Sequence, residues 1–269
     1  MNSQDRCPIV HDAKVGLLHD SKKRKTLKDS RDFPIFQRKI PTGLLFPTES
    51  SNFAAMMRRL LLICWTCMAV AAATAQNTAF TADTLSDEVF TRMAGRSFPE
   101  GCTIDRHELR YLRVLHIDYE GQVHQGELVC NRRIANDLLD IFRKLYEAHY
   151  PIERIRLIDD YDADDERSMS NNNTSCFCYR SITGSQHLSK HALGMAVDIN
   201  TLYNPYVKKR KDGTTVVKPA AGRPYVNRQK QFRYKIEKGD LCYRLFIEHG
   251  FRWGGNWHSL KDYQHFEKD

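Results

Sequence analysis

"HLSKHALGMAVDIN", residues 187–200, sets two histidines, a glycine and an aspartate in a stretch that otherwise reads as core. Met195, Val197 and Ile199 alternate with Ala196, Asp198 and Asn200. That is the period of a strand, so Asp198 projects from the face opposite a core-facing one. His191 comes earlier, and Gly194 between them permits a sharp bend that returns the imidazole over the strand. One imidazole nitrogen and one carboxylate oxygen are two of the three protein ligands of a catalytic zinc site, whose last position stays open. The same donor types also suit non-haem iron. His187 and His191 have the i, i+4 spacing of a helical zinc motif, but Leu188 stands where that motif needs glutamate.

The third ligand has to come from another strand, and His265 in DYQHFE, residues 262–267, is the candidate. Asp262, three residues before it, adds a carboxylate near the metal that can take a proton from an attacking water and return it to a leaving amine. His258 is the alternative ligand, in a turn rich in glycine and tryptophan, and Glu267 the alternative base.

Around this centre the chain mixes strands and helices without regular alternation, which predicts an α+β fold: a small antiparallel sheet carrying a single zinc site, flanked by helices. Residues 111–129 read as a hairpin, Asn131 as the cap of a helix with Ile134, Leu138, Ile141, Phe142 and Leu145 on one stripe, and 155–158 as a strand. The stretch DDYDADDERSMSNNNTS, 159–175, reads as a solvated acidic loop; its aspartates alternate as in a calcium loop, but the glycine and the final glutamate are missing. Residues 204–230 form a long polar excursion of the kind that borders binding sites, and Gly239-Asp240 opens a helix that Gly250 ends.

Residues 56–75, MMRRLLLICWTCMAVAAATA, have the basic, apolar and small-x-small parts of a secretory signal, with cleavage expected after Ala75. The apolar run is shorter than the roughly 20 residues that span a bilayer. The expected organisation is therefore an upstream extension or leader over 1–55, a signal peptide over 56–75, a linker or arm over 76–100 and, over 101–269, a domain that carries the candidate zinc site. Residues 1–75 hold 12 of the 41 Lys+Arg and 6 of the 33 Asp+Glu, so the formal charge of +8 falls to +2 beyond them. The basic balance sits in the segment expected to be removed, and no nucleic-acid partner follows from it. Five cysteines remain there, Cys102, Cys130, Cys176, Cys178 and Cys242, read as core or disulfide residues, with a Cys102–Cys130 bridge as one candidate pairing.

The pattern Ser189-x-His191-x-x-Gly194-x-Ala196-x-Asp198 followed by Asp262-x-x-His265 resembles the zinc peptidases that cut peptidoglycan stem peptides. These include D-alanyl-D-alanine carboxypeptidases and dipeptidases of the VanY and VanX type and L-alanyl-D-glutamate endopeptidases. FCYR at 177–180, DINTLYNP at 198–205 and GFRWGGNW at 250–257 add to the likeness. The resemblance implies one zinc ion on His191, Asp198 and His265, Asp262 as general base, Arg180 as the cation facing the developing oxyanion, and Ser189 contacting substrate or orienting His191. The dipeptidases carry glutamate where Asp262 stands, as the endopeptidases do not. An exported, periplasmic protein with a peptidoglycan peptide as substrate and no stable membrane anchor after cleavage is expected. A reading from another class is a non-catalytic zinc-holding module that binds cell-wall peptide or a protein partner.

Overall fold

Two nine-residue strands, β2 (Leu109–Ile117) and β3 (Val123–Asn131), make the antiparallel hairpin that the alternation predicts, and β1 (Thr81–Thr84) extends it along β2. The computed structural model describes residues 53, 56–65, 79–182 and 187–269. The expected leader and the cleavage site after Ala75 lie outside the described residues, apart from Phe53 and the helical residues 56–65. No described helix is long and apolar enough to cross a membrane. Residues 79–98 are more than a linker: after β1 comes helix α1 (Asp87–Met93), capped by the Ser86 hydroxyl, which accepts the Val89 amide. Val89 and Met93 are buried against Leu109, Val129, Leu157 and Phe177 in a satellite core.

Helix α2 (Ala135–Glu147) lays Leu138, Ile141, Phe142 and Leu145 on the hairpin, and these join Leu112, Val114, Leu128 and Phe266 in the main core. Asn131 does not cap it. Its Oδ1 accepts the Arg133 amide and closes the turn one step earlier, while the N-cap is Ile134.

Four short elements follow where a strand and an acidic loop are expected. β4 (Arg154–Ile155) pairs in parallel with β5 (Asn173–Thr174), and between them lie a 3₁₀ turn (Ile158–Tyr161) and helix α3 (Asp165–Ser170). The carboxylates are taken up by hydrogen bonds and ion pairs, which is why the stretch folds. Asp164 caps α3 through the Arg167 amide, Asp162 pairs with Arg167, Asp160 with Arg92, and buried Asp159 accepts from the amide and hydroxyl of Ser97. No calcium geometry remains among the described residues, where the only group able to hold a metal lies elsewhere.

The carboxy-terminal half supplies two more three-stranded sheets. One has the order β10 (Lys261–Asp262), β7 (Tyr206–Lys209), β8 (Thr215–Lys218); the other β6 (Ala196–Asp198), β11 (His265–Glu267), β9 (Arg252–Trp253). Helix α4 (Leu241–Glu248) starts at Asp240, whose carboxylate accepts the Tyr243 amide, and stops before Gly250 at φ 79°. The architecture is α+β, but it comprises several small sheets rather than one. Cys102, Cys130, Cys176, Cys178 and Cys242 are all free thiols; Cys130 lies in the main core and Cys102 packs against the satellite core, so the candidate bridge does not form.

One buried histidine of the hairpin gives a pH prediction. His116 is packed beside His124 and donates through Nδ1 to Ile152 O at 2.7 Å. Burial lowers its pKa from the ordinary 6.5 to about 4. The folded state therefore prefers the neutral ring: its contribution is complete above the unfolded value and is lost as pH falls from 6.5 toward 4. Over that window the loss is about 3 kcal/mol. Denaturant titrations between these pH values should show that slope in the wild type and a smaller one in His116→Gln, and equal slopes would contradict the assignment.

Candidate metal centre

The site begins with the register of β6 and β11. Antiparallel pairing puts Asp198 directly opposite His265, and Val197 opposite Phe266. Directly paired side chains share a face, so the carboxylate and the imidazole emerge together while Val197 and Phe266 enter the core. Ser175 brackets Asp198 from the other side with two backbone hydrogen bonds, Ser175 N–H to Asp198 O at 3.1 Å and Asp198 N–H to Ser175 O at 2.9 Å.

His191 arrives from the turn that Gly194 makes. Gly194 has φ 65°, and a Cβ there would lie 2.6 Å from the backbone nitrogen of Asn131, whose N–H donates to Gly194 O at 2.9 Å. The glycine thus serves both the left-handed conformation and the close approach to the hairpin. Gly194→Ala should cost about 2–4 kcal/mol, from the left-handed penalty together with overpacking against backbone. Urea unfolding of the purified variant measures this; a loss under about 0.5 kcal/mol, the scale of an ordinary surface change, would show the turn is not held as described.

Three ligand-type atoms converge. His191 Nε2 is 3.2 Å from Asp198 Oδ2 and 3.2 Å from His265 Nδ1, and His265 Nδ1 is 2.9 Å from Asp198 Oδ1. One donor atom from each residue fits within 4.8 Å of the others. His191 Nδ1 donates to Cys176 O at 2.7 Å, which leaves Nε2 facing the centre. All three residues are buried. Burial opposes the charge of Asp198, but His191 and His265 more than offset it and hold the carboxyl well below the usual range. Against the same burial, Asp198 and Glu267 raise His265 to about 10. A carboxylate between two imidazoles is a donor set able to hold a divalent metal ion, and it suits zinc with an open position.

Asp262 comes from the other sheet, at the end of β10 opposite Tyr206. The residue is half-buried as a whole, yet its Oδ1 is sealed from solvent and accepts no hydrogen bond. Burial first, then the charge of Asp198, pushes its pKa up to about 7. An orphaned buried carboxylate oxygen that feels the charges of Asp198 and His265 fits a centre that holds a cation. Gly254 gives Asp262 its place, because a Cβ there would fall 2.6 Å from Asp262 O and 2.8 Å from Asp262 Cβ.

The two remaining sequence candidates flank the turn that carries His191. Ser189 is buried, and its Oγ accepts the His191 amide at 3.2 Å, so it shapes the ligand turn. Arg180 holds the Ser189 amide through its own carbonyl, at 3.1 Å. Its Nε lies 2.7 Å from Asp165 Oδ2 as a charge pair without hydrogen-bond alignment, and its charge is felt by both Asp198 and Asp262. Residues 183–186, beyond Arg180, lie outside the described residues. His187 and His258 take no part in the three-residue group. Trp253 is a core residue stacked on Phe266, while half-buried Trp257 has its ring 5.4 Å from that of His265. What the sequence reading missed is Glu267 as a partner of His265, with Nε2 to Oε2 at 3.2 Å. The signal was present, since residues two apart in a strand share a face.

Neither a curated protein nor a solved structure matches this chain. Residues 183–268 match the family model described as D-alanyl-D-alanine carboxypeptidase. That stretch, about a third of the chain, contains Ser189, His191, Asp198, Asp262 and His265, and begins just after Arg180. By this match the carboxy-terminal part of the protein is similar to the VanY-like zinc peptidases.

Proposed function

We propose that the protein is an exported zinc metallopeptidase that hydrolyses an amide bond in peptidoglycan stem peptides, as a D-alanyl-D-alanine carboxypeptidase or an L-alanyl-D-glutamate endopeptidase. The observation that carries the reading is the convergence of His191 Nε2, Asp198 and His265 Nδ1, with an Asp262 whose Oδ1 is sealed and unpartnered, within the stretch that matches the family. A zinc ion held by the three ligands would acidify a water and polarise the scissile carbonyl.

The protein's own groups do the rest. Asp262, whose Oδ1 is sealed from solvent and without a partner, is suited to taking a proton from that water and releasing it to the departing amine. Arg180 offers a fixed positive charge for the carbonyl oxygen as it becomes anionic. Its Nε is paired with Asp165 Oδ2 at 2.7 Å, so the charge offered there is shared with that carboxylate. The basic, apolar and small-residue pattern over 56–75 supports export to the periplasm, where such substrates lie.

The test is incubation of the purified protein, zinc-loaded and zinc-stripped, with a pentapeptide stem ending in D-Ala-D-Ala, products being read by mass spectrometry. Zinc-dependent loss of one terminal alanine identifies a carboxypeptidase, and a cut after the first alanine an endopeptidase. An intact peptide from the folded, zinc-bound protein, with cross-linked substrates also untouched, would favour a binding module over an enzyme.

A further inference from the structure

We infer that Glu267 is a positioning residue for the metal centre, one that fixes the His265 ring so that Nδ1 rather than Nε2 faces the ligand position. This rests on the metal-binding reading above. His265 Nε2 lies 3.2 Å from Glu267 Oε2. An ionised carboxylate only accepts, so Nε2 carries the hydrogen and Nδ1 is the nitrogen turned toward Asp198 Oδ1 and His191 Nε2. The strand geometry sets this up, because Glu267 follows His265 by two residues in β11 and emerges on the same face. It meets the ring at the nitrogen away from the centre, which removes it as a rival to Asp262 for proton transfer there.

Glu267 is itself held. Arg252, its register partner in β9, donates through Nη2 to Glu267 Oε1 at 3.0 Å. The same guanidinium reaches Asp269 Oδ1 at 3.1 Å and Oδ2 at 3.0 Å, and Asp269 Oδ1 accepts from Lys190 Nζ at 2.7 Å. Lys190 immediately precedes His191. A chain of charges thus runs from the far side of one histidine ligand to the backbone neighbour of the other.

The two histidines are supported unequally. His191 leans on a neutral backbone carbonyl, Cys176 O, whereas His265 leans on a carboxylate. A charged acceptor makes the imidazole a stronger donor to a metal, and loss of such a partner commonly weakens metal affinity about 10- to 100-fold. Glu267→Ala should show a loss of that size, and Glu267→Gln a smaller one because its amide oxygen still accepts from Nε2–H.

The test is zinc affinity of the full chain by chelator competition for wild type, Glu267→Ala and Glu267→Gln. Thermal unfolding of each metal-free protein separates a folding defect from a ligand defect. A second readout is the downfield, exchange-protected Nε2–H proton of His265 in the zinc-loaded, ¹⁵N-labelled protein, expected in wild type and Glu267→Gln and lost in Glu267→Ala. Wild-type zinc affinity in a folded Glu267→Ala, with the protected proton retained, overturns the inference and leaves the metal centre standing. Failure of the wild type to bind zinc removes the metal centre itself and the inference with it.

Discussion

Asp262→Asn is expected to lower kcat/KM on a cleaved stem peptide by about a hundred- to ten-thousand-fold while zinc content stays at the wild-type level. Asparagine keeps the shape and removes the ability to take a proton. Asp262 lies outside the three-ligand group, on a different sheet from Asp198 and His265, so the metal should still bind. The carboxylate is also held against its own preference: burial and the charge of Asp198 raise its pKa to about 7, and Oδ1 has no partner. Neutralising it relieves that repulsion, so the metal-free variant should unfold at a temperature no lower than the wild type. Activity lost with stability preserved or improved is the signature of a group kept for chemistry rather than for the fold. Steady-state kinetics, zinc analysis and thermal unfolding of the same preparation check all three parts; full turnover with zinc bound would remove Asp262 from the mechanism.

The second large effect concerns the ligands. Alanine at His191, Asp198 or His265 should reduce hydrolysis to background, as should chelation of the wild type, and zinc should restore only the wild type. Because the three residues are buried together, zinc bound to the native state is coupled to folding. At a free zinc concentration 100 times its Kd, the wild type should gain about 2.7 kcal/mol of stability. His265→Ala should gain nothing at that concentration. Thermal or denaturant unfolding with and without zinc measures the difference, and equal stabilisation of wild type and variant would place the zinc elsewhere.

The strand period and the turn were legible around His191 and Asp198, because alternation and a glycine are local features. The partner was harder. Nothing in residues 196–198 says that Asp198 faces His265, and a slip of one residue would turn the ligand into the core. The spacing of Asp262 from His265 suggests one continuous strand, but the two residues lie on β10 and β11 in different sheets, with buried Gln264 just before His265. That change of sheet is a tertiary event with no sequence period. The acidic run misled for a related reason: composition suggested solvent, whereas Asp162 and Asp164 found a local partner in Arg167, Asp159 found a distant one in Ser97, and Asp164 started a helix. Thr81–Thr84 read as linker because its pairing with β2 is supplied from far along the chain. Glu267 was weighed only as a base, since its hydrogen bond to His265 shows once the ring orientation is known.

Diffraction across the zinc absorption edge from crystals of the zinc-loaded protein tests the account most directly. The prediction is a single strong anomalous peak touching His191 Nε2, the Asp198 carboxylate and His265 Nδ1, with Asp262 nearby but not bound to it. No peak at that position, or a peak closed by a fourth protein side chain, would contradict it.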